Sequence, residues 1–464
     1  MSYIYKLSDE LEDNAGTVKS SDRVNELAVS DLANEKKYYE QLSALVSALN
    51  QFSQKSFSII SEGNDEELKY INSDIVSNII LSCFQNLMTE MNEQITVQNI
   101  LNASKILSFI YSNIKLAQLQ FKQLLKYHYL LDLVNKCLHN LNLLSQDQIK
   151  EFDFNPFLKI ISLSYDDESI RAKALELFPI QFIIKDISPF IKLFINQYGP
   201  SLLVCFNSFC SLQHNPSDAN IIFNELAYIK NFLTDNGSII QICFILINMI
   251  KHNTIPTENF TENFTGYLTE LVGSKDINVV REVLLLIGNT ISKQITKYDK
   301  LDFFQILFSN INDECIIVYT LWILSFGINI ESIKMWIENK NYEKLVNLYP
   351  TFSVNSKTEL AYFITDMILN SKTIYDEVIT FEVLDLLLDS LYIGDNNIVE
   401  RVFAIFGYLM DDFPNNRPLI LQYLMDNGIY EMIAQLRSDE IPETADKIDY
   451  FCYFLNEYLK NCDE

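Results

Sequence analysis

Glycine and proline are scarce, at 11 and 10 of 464 residues. Sandwiches, barrels and nucleotide-binding sheets need many residues at positive φ, which glycine supplies without steric cost. A chain this poor in both residues is most easily a set of helices. Chemistry-bearing motifs are missing as well: there is no Gly-Lys-Ser/Thr phosphate loop, no Gly-x-Ser-x-Gly elbow and no His-Glu-x-x-His pair. Only four histidines occur, and none combines with the eight cysteines at zinc-ligand spacing. No Cys-x-x-Cys pair is present, and most cysteines lie within apolar runs, as small hydrophobes do. Neither a disulfide framework, a metal, a cofactor nor an enzyme is expected. No basic start followed by an apolar stretch marks a signal peptide. The longest apolar run, Ile239 to Ile250, is too short to span a bilayer and suits a helix buried between neighbours. The expected location is the cytoplasm, the nucleus or both.

Acidic side chains are abundant. Lysine plus arginine number 35 and aspartate plus glutamate 61, so the net charge is 35 − 61 = −26. Such a chain repels phosphate backbones and anionic membrane surfaces, which excludes nucleic acid and membrane as partners. It favours basic partners by steering.

Along the chain, residues 1–34 read as a flexible acidic arm, with Asp9, Glu10, Glu12, Asp13, Asp22, Glu26 and Asp31 against Lys6, Lys19 and Arg23. Helical periodicity begins at Tyr38. Residues 35–145 read as degenerate helical repeats and 146–464 as a regular array. The recurring unit is a short helix, a turn bearing Asp or Asn, and a longer, more apolar helix. Apolar anchors of the short helix fall at Phe157, Phe190, Leu226, Leu268, Phe304, Leu345, Leu384 and Met432. Their separations are 33, 36, 42, 36, 41, 39 and 48 residues. A helical period of about 40 residues is the mark of armadillo and HEAT solenoids. The expected fold is therefore all-α, a right-handed superhelical solenoid of armadillo-type repeats, each burying its apolar face against its neighbours.

The segment Val279 to Asn289 ends in Gly288-Asn289, and Tyr319 to Phe326 carries Trp322-Ile323-Leu324-Ser325-Phe326. These resemble the third helices of armadillo repeats, most nearly those of the importin-alpha family, which carries nuclear-localisation peptides. The resemblance implies a groove in which a tryptophan and an asparagine, one helical turn apart, hold an extended basic segment. The asparagine amide pairs the peptide backbone, aromatic faces flank lysine and arginine stems, and carboxylates take the charged heads. On this chain the asparagine position falls on Asn86, Asn248, Asn289 and Asn456, with Asp366, Phe326 and Tyr408 elsewhere. Phe244 precedes Asn248 by one turn, Trp322 precedes Phe326, Tyr362 precedes Asp366 and Cys452 precedes Asn456. The candidate peptide-binding residues are thus Phe244, Asn248, Asn289, Trp322, Tyr362 and Asp366. The implied partners are proteins with extended basic segments and, through the resemblance, nuclear transport factors. The family's basic N-terminal segment has no counterpart in the acidic arm. A second reading is a general scaffold for protein complexes, without nuclear-import activity.

Overall fold

The computed structural model describes residues 84–112, 121–122, 124–126, 128–295, 303–326, 341–370, 379–413, 415–438 and 442–462. The arm at 1–34 and the helix expected from Tyr38 lie outside the described residues. No strand occurs among the described residues, and the protein is all-helical. The chain divides into two compact units, one ending at Phe190 and the other beginning at Ile191.

In the first unit, α1 (Val97–Ser112) packs on α2 (His128–His139) and on α3 (Asn155–Asp166). Helix α4 (Glu168–Leu177) packs on both α2 and α3. The acidic turn after α3 works as a helix start: the Asp167 carboxylate accepts from the Ser169 N–H at 2.9 Å, satisfying a donor the helix cannot. Phe152 sits 4.7 Å from Phe154 and 4.8 Å from Phe157, ring to ring, and all three are fully buried. The buried Tyr165 hydroxyl donates to the Phe178 carbonyl at 2.8 Å, so this aromatic core keeps no orphaned polar tip there.

The second unit alternates short and long helices. The short ones include α6 (Pro216–Ile229), α8 (Gly266–Val272), α10 (Phe303–Ser309), α12 (Asn341–Leu348), α14 (Phe381–Leu391), α16 (Arg417–Asp426) and α17 (Ile429–Ser438). The long ones are α5 (Ile195–Cys210), α7 (Asn236–Lys251), α9 (Ile277–Ser292), α11 (Glu314–Phe326), α13 (Val354–Asn370), α15 (Asn396–Asp412) and α18 (Pro442–Cys462). Successive long helices start 41, 41, 37, 40, 42 and 46 residues apart. Each packs on the next in chain order, from α5 through α18, so every interior long helix is covered on two sides by its own kind. That packing explains why the Ile239 to Ile250 run is so apolar: it is most of α7, and its buried side chains face both α5 and α9.

Repeated capping residues set where the long helices begin. Asp235 caps α7 through the Ser238 N–H, Asp276 caps α9, Asp313 caps α11, Ser353 caps α13 and Asp395 caps α15. Four of these residues also bond to the preceding long helix. Asn236 of α7 donates to Asp276 at 2.6 Å, and Arg281 of α9 forms an ion pair with Asp313. The Ser353 hydroxyl donates to Glu314 of α11, and the Tyr362 hydroxyl of α13 donates to Asp395 at 2.8 Å. One short side chain thus starts a helix and ties it to the one before. Arg281 holds the Asp313 carboxyl below its ordinary range, chiefly through their hydrogen bond.

Candidate functional site

A row of half-buried positions runs along the long helices. Val204, Phe244, Leu285, Trp322, Tyr362 and Ala404 each sit in the same local pattern, with fully buried residues just before and just after. They are 40, 41, 37, 40 and 42 residues apart, the period of the helices themselves. One turn later stand Asn248, Asn289, Phe326, Asp366 and Tyr408, all half-buried except Phe326, which is 47% exposed. Phe244, Asn248, Asn289, Trp322, Tyr362 and Asp366 therefore share one register on α7, α9, α11 and α13. At the end of the row the register departs from sequence reasoning. Tyr450 lies against Gly407 of the preceding long helix, 46 residues after Ala404, where the sequence reading that placed Cys452 took 48.

Several of these side chains already have partners inside the protein. The Asn248 amide donates to the Asn207 side-chain oxygen at 2.9 Å, and Asn207 donates in turn to Gln241 at 3.2 Å. The Asn289 amide donates to its own helix, at the Leu285 carbonyl, at 2.7 Å. Trp322 lies against Gly288 of α9 and meets Phe326 edge to face at 5.5 Å. Asp366 forms an ion pair with Arg401, whose guanidinium carbon lies 5.1 Å from the Tyr362 ring centre. Burial, and then the neighbouring Asp395 carboxylate, push the Tyr362 phenol up to about 12.

One turn before the aromatic row is a column that sequence reasoning missed: Gln241, Glu282, Tyr319, Glu359 and Arg401. Glu282 on α9 and Glu359 on α13 flank the helix that carries Trp322. Both are half-buried, and neither makes an ion pair among the described residues. The Glu282 Oε2 is buried without a hydrogen-bond partner. Burial raises the Glu282 carboxyl above its ordinary range, and Arg281, engaged with Asp313, only partly opposes this. Burial and the nearby Asp395 charge raise Glu359 likewise. The only sequence signal was an acidic residue three before Leu285 and again three before Tyr362, which is indistinguishable from a solvated face without the burial.

The raised values fix the sign of a pH effect. A carboxyl held above its unfolded value adds stability at pH below the unfolded titration, and that stability is lost as pH rises through the folded value. Glu282→Gln with Glu359→Gln is therefore more stable than the parent near pH 7. Its margin shrinks as pH falls toward about 4.3, where an unfolded glutamate titrates. Thermal unfolding across that range checks this, and a margin that does not change with pH assigns the gain to packing instead.

Nothing here gathers metal ligands: among the described residues no three His, Cys, Asp or Glu side chains are grouped to hold an ion. Among the same residues no helix is long and apolar enough to cross a membrane. Burial raises the thiols of Cys137, Cys205, Cys210 and Cys243, which suits inert packing.

Among solved structures, one described as the crystal structure of an engineered protein is similar to this chain, with a TM-score of 0.57 and 14% identity. The match covers 90% of this chain and 99% of that one, and at such identity it speaks to the fold alone. No family model and no curated protein matches the sequence.

Proposed function

We propose that the second unit is an armadillo-type, importin-alpha-like binding module that takes an extended lysine- or arginine-rich segment of a partner protein. The segment lies along the half-buried row and is centred on Trp322. The observation that carries this reading is the pair of half-buried carboxylates, Glu282 and Glu359, on the two helices that flank the one bearing Trp322. A buried carboxylate without a counter-ion is costly, and a lysine or arginine head placed there relieves the cost. The half-buried indole on the helix between them offers an aromatic surface to the stems and cations of the same segment. The net charge of −26 draws such a segment in. The module has no catalytic role in this reading.

Fluorescence anisotropy with a labelled lysine-rich peptide tests it. Binding at low salt is expected, weakening as salt rises. Glu282→Gln with Glu359→Gln is expected to weaken it by about tenfold or more, and Trp322→Ala by a smaller factor. Absence of binding at low salt, or binding indifferent to the double variant, overturns the reading. The internal partners of Asn248, Asn289 and Asp366 favour the second reading, a scaffold for folded partners, should that happen.

A further inference from the structure

The column one turn before the aromatic row changes sign partway along. It reads Gln241, Glu282, Tyr319 and Glu359 on α7, α9, α11 and α13, then Arg401 on α15 and Lys447 on α18. The two cations are not free. Lys447 forms an ion pair with Glu400, and Arg401 forms one with Asp366 of the preceding long helix. Arg401 occupies the position that a partner's guanidinium would take in the reading above. It has the Tyr362 ring at 5.1 Å on one side and a half-buried carboxylate one helical turn further along α13. The ring is held from its other end by the 2.8 Å hydrogen bond to Asp395, which also starts α15. Aromatic face, carboxylate and fixed ring together make a cation clamp, and the protein fills it with its own arginine.

We propose that Arg401 is a built-in occupant of the Tyr362–Asp366 clamp. It stops a bound basic segment at α13 and lowers the affinity of the whole row until it is displaced. This rests on the reading above, in which the row binds basic segments. It adds an asymmetry: Glu282 and Glu359 make no ion pair among the described residues, and the station between α13 and α15 is closed by an internal competitor.

The test is the same peptide titration on the full chain, using the parent, Arg401→Gln, and Arg401→Gln with Asp366→Asn. Arg401→Met is a second single variant that keeps an apolar stem over the Tyr362 ring. Circular dichroism checks that each variant is helical. The expected result is about tenfold tighter binding for both single variants, from the vacated carboxylate that they share. Asp366→Asn is expected to remove that gain. Parent and single variants binding equally overturns the built-in occupant and leaves the basic-segment reading standing. A gain that survives Asp366→Asn also overturns it, since the double variant has the parent's net charge and no carboxylate in the clamp, and the gain then arises elsewhere. Failure of the parent and both single variants to bind overturns both readings, because a vacated clamp that takes no cation is not a clamp.

Discussion

Gly288→Ala is expected to lower the unfolding free energy by about 2 kcal/mol, even though alanine is the better helix former by about 1 kcal/mol. A Cβ at Gly288 lies 2.1 Å from Trp322 Cζ3 and 2.5 Å from Cε3, separations that no packed interior tolerates. The indole is also pressed against Phe326, and Gly288 lies inside α9 between buried neighbours, so neither side yields cheaply. The clash outweighs the propensity gain. Removing the indole reverses the sign: in a Trp322→Ala background the same glycine substitution is expected to stabilise by about 1 kcal/mol. Gly407 makes the internal comparison. There the nearest atom to an added Cβ is Tyr450 Cδ1 at 3.4 Å, ordinary contact, so Gly407→Ala is expected to stabilise by roughly 0.5–1 kcal/mol. Urea unfolding of the five proteins decides it. A neutral or stabilising Gly288→Ala in the parent would show that the indole moves aside.

Asp395→Ala and Asp313→Ala are expected to cost more than the loss of a helix cap alone, about 2–4 kcal/mol each. A cap contributes about 1 kcal/mol, and a half-buried partner left without its hydrogen bond adds about 1–3 kcal/mol. Asp395 serves the Asn397 and Ile398 N–H groups and the Tyr362 hydroxyl at once. Asp313 serves the Ile316 N–H and the Arg281 guanidinium. Asp167 is the control: it is exposed and caps only its own helix, so Asp167→Ala is expected to cost clearly less. Chemical denaturation of the three variants checks the ranking. Equal losses at all three sites would mean that the links between helices add nothing.

The period of the second unit was legible because it is a pattern of apolar residues, and burial on successive helices writes that pattern directly into the chain. The Asp- or Asn-bearing turn of the recurring unit was legible for a similar local reason, and Asp235, Asp276 and Asp395 stand there as helix starts. What escaped reading were relations across one repeat. Gly288 and Trp322 are 34 positions apart, and nothing near either residue announces that the indole needs the missing side chain. Arg401 reads as a solvated charge until its partner, Asp366, is known to stand one helix earlier. The wide π turns at Ile183–Ile187 and Thr261–Thr265 also leave no local mark. At the end of the row, an interval two residues shorter than the sequence reading assumed puts Tyr450, not Cys452, in the register of Ala404.

The double duty of Asp276, Asp313, Ser353 and Asp395 has a direction. In each case the residue that begins a helix belongs to the later segment, and the side chain that meets it belongs to the earlier one. A chain emerging amino terminus first from the ribosome therefore presents each new segment with an anchor that already exists, and none has to wait for a residue not yet synthesised. At these four junctions the partner of each helix-starting residue is thus synthesised before the residue itself.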